Sequence, residues 1–222
     1  MFNRHSAVVP SLSVTAAVAY VILGVWVSPR PPAGIDADAA AWAGHGLQAA
    51  SFLTAAGLFP VYATLCGLLL VAALVRRAWL PPVLASIVAL VVAWRVSDLG
   101  KAYFERPRPA HWFVHHETSF SYASGHATLA LAFYGFWAYV VWASPWPPAG
   151  RRLTVALLSA WIVATGWSRL ALGAHFPSDV AGGYLLGAAV LGLAVSLYER
   201  VRSGNAGPAR QKSAQFVRGK SL

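Results

Sequence analysis

Residues 52–75 read FLTAAGLFPVYATLCGLLLVAALV, and Arg76-Arg77 follow at once. The run holds no charged side chain. A helix needs about 20 consecutive apolar residues to cross the hydrocarbon core of a bilayer, so this run is long enough to span one. Five further stretches have the same character: 11–28, 83–99, 126–143, 153–167 (extending to about residue 172) and 180–197. Their Gly and Ala content suits close helix packing in lipid. The expected fold class is all-α, an integral membrane bundle of six transmembrane helices.

Composition supports this over a soluble fold. Hydrophobic residues make up 58% of the 222 and charged residues 11%, against about half and about a quarter in an ordinary soluble domain. Such a chain is neither disordered nor dressed with a conventional water-facing surface. The net charge is +10, from 17 Lys and Arg against 7 Asp and Glu. Nucleic acid is the first partner such a charge suggests, but most of the basic residues flank apolar runs and form no single stripe, so no nucleic-acid partner is expected. The single cysteine, Cys66, lies inside an apolar run and excludes an intramolecular disulfide or a Cys-based metal site.

The flanking charges orient the bundle. Arg4, Arg76, Arg77, Arg151, Arg152 and the six basic residues after 199 all fall on one side if the spans alternate. The positive-inside rule makes that side cytoplasmic, with both termini there. The first run also resembles a secretory signal peptide, but it is longer than a usual signal core and is expected to stay as span one. Residues 1–202 then form a single domain, and 203–222 a basic, disordered cytoplasmic tail. On the outer side lie 29–51, 100–125 and 168–178. Asp36 and Asp38, ahead of an Ala-rich stretch, suit the N-terminus of a short helix on the outer surface before span two.

The other two outer segments hold the polar chemistry. In Lys101-Ala-Tyr-Phe-Glu-Arg-Pro-Arg-Pro109, three cations stand on the less positive side, stiffened by two prolines. They suit either phosphate, which Arg and Lys bind well, or anchoring to headgroups. Ser124-Gly125-His126 opens span four, where free backbone N–H groups and the helix dipole favour an anion; His126 is placed to donate a proton. In Ser168-Arg169…His175…Asp179, the last two are four apart and can share a face. A carboxylate on one ring nitrogen fixes the tautomer and leaves the other nitrogen for nucleophilic or base chemistry. Together the segments imply a phosphate monoester or diphosphate ligand, and phosphoryl transfer to water.

These residues carry a resemblance to the type 2 phosphatidic acid phosphatase family, which shares its site with vanadium haloperoxidases. The family's signatures are Lys-x6-Arg-Pro, Pro-Ser-Gly-His and Ser-Arg-x5-His-x3-Asp. Here they read Lys101…Arg108-Pro109, Ala123-Ser124-Gly125-His126 and Ser168-Arg169…His175…Asp179. Order and spacing match, and only Ala123, where the family has Pro, departs. The resemblance extends over about residues 36–198. It implies that His175 attacks phosphorus, Asp179 orients it, and His126 protonates the leaving lipid oxygen. Lys101, Arg108, Arg169, Ser124 and the Gly125 amide would hold the phosphoryl oxygens. It implies no metal and no cofactor, since protein cations replace Mg²⁺. The substrate would be a lipid phosphate entering from the bilayer, of the undecaprenyl diphosphate or the phosphatidylglycerol phosphate and phosphatidic acid type. Two other functions fit the same pocket: a vanadate-dependent haloperoxidase, whose relatives are soluble and longer, and a non-enzymatic lipid-phosphate carrier, which would not require the His175–Asp179 pair.

Several residues stand outside the signatures. Arg106 is expected behind the phosphate ligands, supporting them. His111, His115, His116 and Glu117 form a cluster better suited to headgroup or leaving-group contacts than to one metal ion, because adjacent histidines rarely face the same ion. Arg95 and Asp98, late in span three, are either functional or an i,i+3 pair.

Overall fold

The structure is a computed structural model and describes residues 5–110, 113 and 118–218. Among them every regular element is a helix: α1 (His5–Val27), α2 (Ala39–Trp42), α3 (Leu47–Ala55), α4 (Phe59–Val75), α5 (Leu80–Phe104), α6 (Gly125–Trp142), α7 (Pro148–Ala171) and α8 (Pro177–Arg218), with 3-10 turns at Gly34–Asp36 and Arg77–Trp79.

The run 52–75 is not one straight helix. It breaks after Ala55 and resumes at Phe59, with a bend of 49° between α3 and α4. Pro60, in the first turn of α4, explains the break: it has no N–H to give to a preceding turn, and it crowds the residue before it out of helical geometry. The short outer helix expected ahead of span two is also fragmented. It consists of the turn Gly34–Asp36 and the single turn of α2, after which Gly44 (φ +88°) and Gly46 (φ +62°) redirect the chain into α3. A left-handed φ is cheap only for glycine.

Four helices are by themselves long and apolar enough to cross a membrane, in the segments Val9–Val27, Arg77–Phe104, Pro148–Ala171 and Pro177–Ser203; the bent pair α3 and α4 is a fifth candidate when counted as one broken span. The remaining expected run, the fourth in chain order, is α6: it is 18 residues long, opens on Gly125 and His126, and is the enclosed member. It packs against α5, α7 and α8 and buries Ala127, Thr128, Ala130, Ala132, Phe133 and Phe136. The outer helices instead expose Leu12, Ile22, Leu68, Val88, Leu157 and Val163, each more than half accessible. That inverts the usual soluble pattern. The last helix, α8, runs from Pro177 to Arg218.

α8 lies very close to α6, and the sequence shows why. A Cβ on Gly183 would stand 2.6 Å from the Ser124 carbonyl oxygen, and one on Gly187 would stand 2.8 Å from that of Thr128. Two glycines four apart clear one helix face so that backbones can touch. The same contact aligns the two helix starts, since the Ser124 amide donates to the Asp179 carbonyl at 3.0 Å. The Tyr122 phenol, buried just ahead of α6, donates to the Tyr20 carbonyl at 2.6 Å and ties this corner to α1. Burial, reinforced by Tyr20 and Asp179, raises its pKa and keeps it a donor. Replacing Gly187 by Val should lower stability by about 1–3 kcal/mol through overpacking, read as a fall in melting temperature in detergent. An unchanged melt would show that the two backbones do not meet there.

Candidate active site

The ends of four successive helices converge: the C-termini of α5 and α7 and the N-termini of α6 and α8. Glu105, in the left-handed conformation (φ +47°), ends α5. Pro107 and Pro109 prevent the helix from restarting, and the chain lays Arg106 and Arg108 across the start of α8.

His175 is 2% exposed and Asp179 is fully buried. Their direct contact, Nδ1 to Oδ2, is 3.5 Å, too long for a good hydrogen bond. Ser121 fills the gap. Its Oγ donates to Asp179 Oδ2 at 2.5 Å and stands 3.3 Å from His175 Nδ1. On the other ring nitrogen, Nε2, sits Arg108 Nη1 at 3.0 Å. Two constraints then fix the tautomer. Ser121 has one hydroxyl proton, which it gives to Asp179, so Nδ1 must donate to Ser121. Arginine can only donate, so Nε2 must accept. Both place the proton on Nδ1 and leave Nε2 a lone pair.

Arg108 is held as a fork. Its Nε donates to the Ser119 carbonyl (2.7 Å), Nη2 to Ser119 Oγ (2.9 Å) and Nη1 to the Ala174 carbonyl (3.0 Å). Lys101 Nζ reaches the same Ser119 Oγ at 3.3 Å and lies 3.8 Å from where a Cβ on Gly125 would be. At the start of α6 the Ser124 hydroxyl caps nothing. Its Oγ and that of Ser97 are buried without a hydrogen-bond partner among the described residues, and Ser97 Oγ lies 3.4 Å from the same Gly125 Cβ position. Two buried hydroxyls, an ammonium and a helix N-terminus around one glycine are groups suited to an anion.

Arg169 and His126 both reach the bend between α3 and α4. Arg169, 2% exposed, donates through Nη1 to Thr54 Oγ1. The His126 ring lies against Gly57, where a Cβ would stand 2.5 Å from His126 Cδ2. A cavity of about 790 Å³ opens beside His175, lined in part by Asp36, Arg106, Pro107, Arg108 and Phe176.

Of the residues expected from sequence, His175, Asp179 and Arg108 touch one another or a shared partner. Lys101 joins them through Ser119, and Ser124 through the backbone of Asp179. Arg106 is buried against Asp179. Asp36 does meet a helix start, but that of α8: Ser178 N donates to its Oδ1 at 3.0 Å. Arg95 stacks on Trp94 at 5.0 Å. The cluster His111, His115, His116 and Glu117 lies outside the described residues, and no group of three metal-ligating side chains occurs among those described. Sequence reasoning missed Ser119, Ser121, Thr54 and Gly57. The two serines carry no signal beyond their loop, whereas Gly57 with Pro60 inside an apolar run is a recognisable break.

¹⁵N-histidine NMR of the purified protein should show His175 as the Nδ1–H tautomer, assigned by loss of its signals in His175→Gln. Ser121→Ala should shift the Nδ1 resonance. An Nε2–H tautomer would contradict the assignment.

The chain resembles known proteins over the same residues. Residues 79–203 match the family model described as the PAP2 superfamily. Phosphatidylglycerophosphatase B of Bacillus subtilis (strain 168) is 32% identical over 108 residues, 48% of this chain and 53% of that protein. Phosphatidylglycerophosphatase B of Escherichia coli (strain K12) is 35% identical over 92 residues, 41% and 34% respectively. The putative undecaprenyl-diphosphatase YbjG of Escherichia coli (strain K12) is 32% identical over 109 residues, 47% and 48%. The matched stretch thus spans about half or less of these curated relatives. A solved structure, that of a transmembrane PAP2 type phosphatidylglycerolphosphate phosphatase from Bacillus subtilis, superposes with a TM-score of 0.75 at 23% identity, covering 85% of this chain and 96% of the other. It shares the fold.

Proposed function

This chain belongs to the PAP2 superfamily, and on that premise we propose that it is an integral membrane lipid phosphatase that removes a terminal phosphate or diphosphate group from an amphiphilic lipid without a metal ion. The observation that carries the reading is His175, with Nε2 3.0 Å from a forked arginine and Nδ1 anchored through Ser121 to a buried carboxylate.

His175 Nε2 attacks phosphorus as the bond from phosphorus to the lipid oxygen breaks, and His126 gives its proton to that oxygen. Water then attacks the phosphohistidine, His126 takes the proton, the P–N bond breaks and phosphate leaves. One water is consumed and both histidines are restored. Arg108, Lys101, Arg169, Ser124 and the Gly125 amide bear the charge that grows on the phosphoryl oxygens, where fixed donors act most strongly.

In the proposed topology α6 is the fourth of six spans, packed against α5, α7 and α8. Arg76 and Arg77 before α5, Arg151 and Arg152 early in α7, and Arg200 and Arg202 at the close of the apolar segment Pro177–Ser203 of α8 lie across the apolar segments from the residues of the site. The positive-inside rule then puts the site outside and both termini in the cytoplasm. Lateral arrival of the lipid is supported at the bend, where His126 meets Gly57. Nearby Phe59 is 74% exposed and its ring contacts Trp94 at 6.4 Å, offering an apolar approach to the proton donor. The names of the relatives make phosphatidylglycerophosphate and undecaprenyl diphosphate the first substrates to try.

The purified protein should release phosphate from at least one of a panel of polyprenyl, glycerophospho- and sphingolipid phosphates in the presence of EDTA. His175→Ala should abolish release, and ³²P-labelled lipid should leave an acid-labile label on the wild type only. Activity retained in His175→Ala would refute the mechanism, and tight binding without turnover would favour a carrier. Gly57→Ala should displace the His126 ring and lower kcat by about 10²-fold or more, the lower range for a lost general acid. Wild-type kcat in that variant would remove His126 from the bend.

A further inference from the structure

Arg106 is the one cation of the Lys101–Pro109 stretch that is turned fully inward, with 2% exposure. Its Nη1 lies 2.6 Å from Asp179 Oδ1 and 2.6 Å from Ser178 Oγ, and its Nη2 lies 2.8 Å from Asp36 Oδ2. Its guanidinium carbon stands 4.5 Å over the Phe176 ring. Asp36, 5% exposed, also accepts from Ser178 N at 3.0 Å and from Ser178 Oγ at 2.5 Å. One guanidinium therefore serves two buried carboxylates, one in the turn before α2 and one at the start of α8.

We propose that Arg106 and Asp36 act together as positioning residues: Asp36 holds the guanidinium in place, Arg106 fixes the Asp179 carboxylate, and the carboxylate, through Ser121, sets the His175 ring. The inference rests on the phosphatase reading given above.

The geometry separates this task from phosphate binding. A carboxylate has two edges. Asp179 Oδ2 accepts from Ser121 and from the Phe176 amide at 2.8 Å, the side that faces His175. Arg106 takes the opposite oxygen, Oδ1. With both oxygens bound from fixed directions, the carboxylate can neither rotate nor swap edges, so Ser121 always finds the same acceptor. Arg106 is in turn kept from swinging toward a phosphate by Asp36 and Ser178, which hold its two terminal nitrogens. In the phosphatase reading, phosphate binding falls to Lys101, Arg108 and Arg169 and not to Arg106. A lysine could satisfy one carboxylate but not two at this spacing, since it lacks the planar fork.

The test uses the full chain in nanodiscs. Arg106→Gln should lower kcat about 10- to 100-fold, the range for losing a partner that orients a reacting group, with KM nearly unchanged. Asp36→Asn should lower kcat by less, and Arg106→Lys should recover part of the loss. In an Asp179→Asn background, adding Arg106→Gln should cost almost nothing more, because groups that act through one another are non-additive. Fully additive losses, a loss confined to KM, or wild-type kcat in Arg106→Gln would each overturn the proposal. If Arg106→Gln does not fold, as judged by elution and melting, Asp36→Asn and Arg106→Lys decide by the same kcat-against-KM split. The His175 Nδ1–H resonance reads the same chain of contacts without turnover. It should shift in Arg106→Gln or Asp36→Asn, and an unmoved signal overturns the proposal even for a protein that releases no phosphate. Absence of phosphate release from the wild type counts against the phosphatase reading alone.

Discussion

A fully buried carboxylate, that of Asp179, sets the terms for the rest of the structure. Taking a charge out of water costs several kcal/mol unless it is paired and hydrogen-bonded, and removing one partner of a buried pair typically costs about 3–5 kcal/mol. The chain meets this demand from three directions: Arg106 from the turn after α5, Ser121 from the segment before α6, and the Phe176 amide from the turn before α8. Arg106 is itself a buried charge, and Asp36 answers it from the turn after α1. Segments far apart in sequence are thereby locked at one point, and that point adjoins His175.

The helices make such a junction affordable. Gly183 and Gly187 bring α8 against α6, so two helix N-termini open side by side with their positive ends toward the same space. Asp179, in the first turn of α8, complements its own helix, while the start of α6 keeps the Ser124 hydroxyl uncommitted. One N-terminus is satisfied internally, and the other is where the proposed mechanism seats the phosphoryl group. The division follows from which start carries a carboxylate.

Much of this was legible in the sequence. The apolar runs gave the helical membrane class, and the spacing of Lys101, Arg108, Ser124, His126, Arg169, His175 and Asp179 placed them at helix ends on one side. What spacing could not give was depth. Arg106 and Arg108 are two residues apart with the same charge; one is buried against Asp179 and the other is partly open beside His175. Asp36 was read with sound physics, an acid at a helix start, but the helix it serves lies 142 residues onward. The i,i+4 pairing of His175 and Asp179 holds in position, yet at 3.5 Å it works through Ser121, which no periodicity marks out. Hydropathy also treats all long apolar runs alike, so it could not separate enclosed α6 from its exposed neighbours.

The break in the run 52–75 has the same origin as the rest. An uninterrupted helix keeps its side chains between its backbone and its neighbours, at interaxial distances of about 8–10 Å. By ending α3 at Ala55 and restarting at Phe59, the chain brings bare backbone at Gly57 up to the His126 ring and leaves Thr54 for Arg169. Two of the site's polar groups thus gain their supports from within a stretch that composition assigns wholly to the bilayer. A membrane helix can spare a few residues in this way only where other protein groups cover its irregular backbone. At this bend His126 of α6 lies against the buried Gly57, and Arg169 of α7 bonds Thr54, so the irregular backbone and the candidate site share their contacts.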